Sequence, residues 1–215
     1  MTGEIVRIAV GGSALITGDL TLPEGAGGVV LFAHGSGSSR HSPRNRFVAA
    51  QLQHAGLATL LIDLLTEHED EDYERRFDIG LLTDRLALAA EWLAQDPRTS
   101  AMALGLFGAS TGAAAALQLA ARAPDAVAAV VSRGGRPDLA GEQALGLVKS
   151  PVLLIIGGHD REVIELNRVA AEQMDCPLRI EIVPGATHLF EEPGALERVA
   201  QLAAKWLTRH LLPKE

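Results

Sequence analysis

Ser110 lies in Gly108-Ala109-Ser110-Thr111-Gly112, a G-x-S-x-G pattern between an apolar run ending at Phe107 and an alanine-rich stretch. Serine held on a sharp strand-to-helix turn presents its hydroxyl as a nucleophile, and flanking glycines let such a turn pack. With 22 glycines in 215 residues, the bare pattern arises by chance roughly 0.1 times, so its setting matters more than its letters. A serine hydroxyl also needs a base to take its proton, and that base needs a third group to hold its tautomer and orientation. His188, in Pro184-Gly185-Ala186-Thr187-His188, is the candidate base, and Asp160, in Gly157-Gly158-His159-Asp160, the candidate acid. The rival base is His159, although sequence neighbours such as His159 and Asp160 point apart. The rival acid is Asp63, which ends another apolar run. The chemistry this set could perform is attack on an acyl carbon through a covalent acyl-serine, with no metal or organic cofactor.

The tetrahedral intermediate of such a reaction needs backbone donors for its oxyanion. Thr111 N–H, directly after the serine, is one candidate. Ser36 N–H, in His34-Gly35-Ser36-Gly37-Ser38-Ser39, is the other, and His34 reads as structural. That loop lacks the G-x-x-x-x-G-K-[ST] spacing of a phosphate cradle. Four arginines, Arg40, Arg44, Arg133 and Arg136, fall in loops that should reach the same rim, where guanidinium forks suit an anionic group on a small acyl substrate. The competing reading is that they pair with the chain's own carboxylates.

The elements that must position these residues follow an alternation of short apolar runs and longer helical stretches, which predicts an α/β fold with a mostly parallel sheet covered on both faces. Residues 4–10 and 13–22, joined by Gly11-Gly12, predict an antiparallel hairpin at the sheet edge. Strands follow at 29–33, 58–62, 101–107, 126–132, 151–156 and 178–183. Helices are predicted over 44–55, from Ile79 to Leu93, and over 111–122, 138–147, 162–173 and 194–211. Ser110, Asp160 and His188 each come just after a predicted strand, so a parallel sheet would carry them to one rim. The acidic segment Glu67-His68-Glu69-Asp70-Glu71-Asp72 reads as a solvated loop, because it lacks the spacing of a calcium loop.

Composition bounds the reading. A hydrophobic share of 47% and a charged share of 21% suit one folded domain. A formal net charge of -8 disfavours nucleic-acid and membrane-surface partners. The single cysteine, Cys176, precludes an internal disulfide, and the opening residues carry no secretory pattern, so a cytoplasmic location is expected.

His34-Gly35, the turn around Ser110, Asp160 and His188 occur in an order that resembles the α/β-hydrolase superfamily across nearly the whole chain. The compact size and lack of room for a lid resemble its dienelactone hydrolase family. This resemblance implies a sheet of about eight strands and activity on esters, thioesters or lactones. Dienelactone hydrolases proper carry cysteine where this chain has Ser110, so the lactone substrate does not carry over. The arginine-bearing segments 40–46 and 132–137 resemble a subgroup of dienelactone-hydrolase-like proteins. Acyl transfer by the same residues, or a binding role on a hydrolase scaffold, are the alternatives.

Overall fold

The computed structural model describes residues 3–213. Eight strands form one sheet: β1 (Glu4–Ala9), β2 (Leu15–Thr21), β3 (Gly28–Ala33), β4 (Leu57–Ile62), β5 (Ala103–Ala109), β6 (Val127–Arg133), β7 (Val152–Gly157) and β8 (Leu178–Val183). Their spatial order is β1-β2-β4-β3-β5-β6-β7-β8. β1 and β2 pair antiparallel, β2 joins β4 antiparallel, and the remaining pairs are parallel. Every residue of β3, β4 and β7 is buried, as expected of strands covered on both faces.

Among the described residues are seven α-helices, α1 (Pro43–His54), α2 (Glu67–Asp70), α3 (Ile79–Gln95), α4 (Thr111–Arg122), α5 (Glu142–Leu147), α6 (Arg161–Ala171) and α7 (Ala195–Leu211), with short 3-10 turns at Glu74–Phe77 and Pro137–Ala140. The two-residue alternation of each strand divides the core in two. Val29 and Leu31 of β3 join the cluster formed with α3 and α4, whereas Val30 and Phe32 face the cluster formed with α1 and α7. Phe32 and Phe107 stack on that second side with ring centroids 4.8 Å apart.

Four elements differ most from the sequence reading. The helix expected over 138–147 is broken at Gly141, φ 84°, into a 3-10 turn at Pro137–Ala140 and the short α5. β5 starts and ends two residues later than expected, because 99–102 fold into a turn closed by Met102 N–H donating to the Thr99 carbonyl. The strand therefore runs straight into Ser110. The Gly11-Gly12 hairpin is not a two-residue turn: its loop spans 10–14, with both glycines at positive φ and Val10 N–H donating to Ala14 O. The acidic segment is not simply a solvated loop, because its first residues form α2, closed by a reciprocal cap between Thr66 and Glu69. Among the described residues, no helix is long and apolar enough to cross a membrane.

Candidate active site

The turn at Ser110 is enforced by crowding. Ser110 has φ 50° and ψ -121°, a region that L-residues avoid, and α4 begins at the next residue. A Cβ on Gly108 would lie 2.4 Å from Ala113 Cα, and one on Gly112 would lie 2.3 Å from the Ala33 carbonyl oxygen. Both glycines are thus required by close backbone approach, which lets α4 descend directly onto the sheet. The strained residue is tied to the end of β6 and to the segment after it: Ser110 N–H donates to Arg133 O at 3.3 Å, and Arg136 N–H donates to Ser110 O at 3.2 Å.

Asp160 and His188 follow β7 and β8, two strands along the same rim. Asp160 Oδ2 lies 2.6 Å from His188 Nδ1, the carboxylate mostly buried and the ring half-exposed. The hydrogen bond makes Nδ1 the donor, which leaves Nε2 as the acceptor of a neutral ring. The two loops fit because Gly157 lacks a side chain: a Cβ there would meet Ala186 O and Thr187 O, each at 2.5 Å. Two residues past His188, Phe190 is 1% exposed and holds the loop to the core at φ 56°. Gly134, at φ 50°, approaches from β6, where a Cβ would sit 3.1 Å from His188 O. Among the described residues, no hydrogen bond joins Ser110 Oγ to His188; such contacts are often long before a substrate is bound.

His159, the rival base, is exposed, and its backbone N–H donates to Ala186 O. Asp63, the rival acid, accepts from both the backbone N–H and the guanidinium of Arg40. It serves the loop after β3. Within that loop His34 is buried, its Nδ1 2.9 Å from Gly35 O and its Nε2 accepting from Leu64 N–H at 3.0 Å. Burial pushes its pKa down, against the raising effects of the Gly35 hydrogen bond and of Asp63 and Asp70. The ring is a neutral strut between the ends of β3 and β4.

Ser36 N–H is already engaged: it donates to Thr111 Oγ1 at 2.9 Å. The two residues named for the oxyanion are therefore adjacent, yet one uses its donor on the other's hydroxyl. Thr111 N–H belongs to the first turn of α4, where backbone donors lack intrahelical partners and the helix end is electropositive.

The four arginines separate into two pairs. Arg40 is held by Asp63 and Asp19, and Arg136 by both oxygens of Asp138, at 2.9 and 2.7 Å. These two follow the self-pairing alternative raised by the sequence. Arg133 is 8% exposed, and its one hydrogen bond runs from Nη2 to Asn45 Oδ1 at 3.4 Å. Its Nε and Nη1, and the Nε of Arg44, are buried without a partner. Burial, with Arg44 nearby, pushes the Arg133 pKa down to about 10. Asn45, which approaches from α1, escaped the sequence reading because nothing local marks a residue 88 positions away as a partner.

The sequence matches the dienelactone hydrolase family over residues 16–211. The chain belongs to that family. It is 57% identical to a dienelactone hydrolase from Anabaena variabilis ATCC 29413, with a TM-score of 0.93 over 97% of this chain and 98% of the other. Est1E from Butyrivibrio proteoclasticus shares the fold at 16% identity and a TM-score of 0.82, covering 97% of this chain and 99% of that one. A Mycobacterium tuberculosis (strain ATCC 25618 / H37Rv) protein provisionally named a phosphoribosyl transferase is 55% identical over 202 residues, or 94% of this chain. The chain spans 45% of that relative's length. Family and fold together support a hydrolase.

Proposed function

We propose that this protein is a serine hydrolase that opens an ester, thioester or lactone bond of a small acyl substrate through an acyl-Ser110 intermediate. The observation that carries this reading is the 2.6 Å contact between His188 and Asp160 on the rim where Ser110 is held in a strained turn. Ser110 Oγ attacks the acyl carbon as His188 Nε2 takes its proton, and Asp160 stabilises the imidazolium that forms. Thr111 N–H receives the oxyanion at the start of α4. Ser36 N–H is the second donor, turning from the Thr111 hydroxyl or sharing itself between the two acceptors. Collapse returns the proton from His188 to the leaving oxygen or sulfur. Water then repeats the sequence on the acyl-enzyme and frees the acid.

The name of the mycobacterial relative belongs to a protein more than twice as long as the matched region. We assign the phosphoribosyl transfer in that name to the portion lying outside the match.

The test is labelling with a fluorophosphonate probe combined with turnover of an ester, thioester and lactone panel. Ser110→Ala should lose both labelling and turnover. Asp160→Asn should keep the fold and lower kcat on the order of 10⁴-fold, because Nδ1 loses the partner that sets its tautomer. Retained turnover in Ser110→Ala would refute the mechanism.

A further inference from the structure

Among the described residues, the sheet ends in two strands that each pair on one side only, β1 and β8. An open strand edge presents unpaired backbone N–H and C=O groups, and folded chains guard it with proline, lysine, a bulge or a covering segment. β8, Leu178-Arg179-Ile180-Glu181-Ile182-Val183, has neither proline nor lysine, and its ladder with β7 runs from Leu178 to Val183 without a bulge. Ile180 and Ile182 are 37% and 39% exposed. They stand opposite Leu154 and Ile156 of β7 and so share the face of the cluster formed with α3 and α4. Arg179 and Glu181 stand opposite Leu153 and Ile155 on the α7 face, where they pair with each other.

This order of side chains is its own complement. A two-fold axis perpendicular to the sheet lays β8 of a second copy antiparallel to the first and keeps each face on its own side. Residues placed opposite one another must share a face, so the axis has to pass at a residue of the strand. With the axis at Ile180, the two Ile180 side chains meet, each Leu178 meets the other copy's Ile182, and each Arg179 meets the other copy's Glu181. The charges then form a square that alternates in sign both along the strands and across them. Moving the axis to Arg179 or Glu181 sets like charges against each other, and moving it farther shortens the ladder. β1, the other edge, has no such register: Glu4 and Arg7 lie on opposite faces, and Glu4 is held by Arg98.

The α7 side of the junction is basic, with Arg198, Lys205 and Arg209 lining a groove of about 300 Å³ beside Arg179 and Glu181. Those side chains are exposed, so salt screens them from the other copy over about 8 Å at physiological ionic strength. The β8 charges, in contrast, are held in contact by the ladder.

We propose that this protein forms a two-fold dimer by antiparallel pairing of β8 with β8 of a second copy, centred on Ile180. The pairing joins two eight-stranded sheets into one, covers Ile180 and Ile182, and satisfies the backbone groups of the open edge. Because the strands run antiparallel, the two Ser110 rims lie at opposite ends of the joined sheet, and each copy keeps its own site.

Sedimentation equilibrium over a concentration series up to about 0.1 mM reads the dissociation constant of the dimer. The parent should reach twice the single-chain mass of 22.7 kDa. Arg179→Glu alone leaves only carboxylates in the square, and Glu181→Arg alone only guanidiniums, so each should weaken the dimer by about 10- to 100-fold. The double variant Arg179→Glu/Glu181→Arg restores the alternation and should recover the parent constant. An equal mixture of the two single variants should form a mixed dimer. Ile180→Lys sets two ammonium groups against each other at the axis and should sediment as a single chain. Circular dichroism matching the parent's checks that each variant is folded. A single-chain mass for the parent throughout the series, or single variants as dimeric as the parent, would overturn the β8 pairing. A double variant no tighter than the single ones would overturn the Ile180-centred register.

Discussion

Replacing Ser110 separately by alanine and by glycine isolates the strain stored in the turn. Both substitutions remove the hydroxyl, but alanine keeps the Cβ at φ 50° and ψ -121°, whereas glycine adopts that conformation without penalty. A residue held in such a sparsely populated region costs about 1–3 kcal/mol. Against this, glycine gives the unfolded chain extra freedom worth about 0.4–1 kcal/mol. The balance leaves Ser110→Gly more stable than Ser110→Ala by roughly 1 kcal/mol, which for a chain of 215 residues raises Tm by about 2–4 °C. Denaturant titration and calorimetry of the two variants, each checked for loss of fluorophosphonate labelling, would measure the difference. The sign is the decisive feature, since an ordinary alanine-to-glycine exchange destabilises. If the glycine variant were the less stable of the two, the turn would hold no strain and the account of how Ser110 is presented would fail.

Two further expectations concern the supports of the site. Gly112→Ala places a Cβ 2.3 Å from Ala33 O and 2.5 Å from His34 O, so α4 must lift from the loop after β3. Overpacking of this kind costs about 1–3 kcal/mol, and activity should fall more than stability when kcat is compared with the denaturation midpoint. His34 predicts a pH effect: burial holds its folded pKa below the ordinary 6.5, so the native state resists a proton that the unfolded chain accepts. Its neutral-ring contribution is complete above pH 6.5 and declines as pH falls below that value, by at most about 1.4 kcal/mol per pH unit for one proton. Melting curves from pH 7.5 to 5.5 should therefore show a decline in the parent that His34→Gln reduces. Parallel curves would show that other groups dominate the window.

The layout of the sheet was legible in the sequence because each strand announces its own environment. Apolar runs such as 29–33 and 152–156 are buried on both faces, and the alternation with helices implies parallel pairing and a shared rim. Local signals failed where packing, not propensity, set the boundary. β5 extends through Gly108-Ala109 because β3 and β6 continue alongside it, pairing Ala33 with Gly108 and Arg133 with Ala109. The acidic segment forms a helical turn because Thr66 and Glu69 cap one another, and Arg85 holds Glu69 at 2.6 Å.

By itself, the sequence determined the chemical inventory: a serine between glycines, then an aspartate and a histidine after later strands, in an order that follows from chain connectivity. Those are properties of residue type and spacing. The tertiary structure alone decided which charges cancel. Arg40 meets Asp63 across 23 positions, while Arg133 meets a neutral asparagine across 88, and no spacing rule separates two arginines in similar loops. It also decided that Ser36 N–H turns to Thr111, 75 positions away. Electrostatic and hydrogen-bond partners depend on distances of a few ångströms between segments remote in sequence, and only folding fixes those distances.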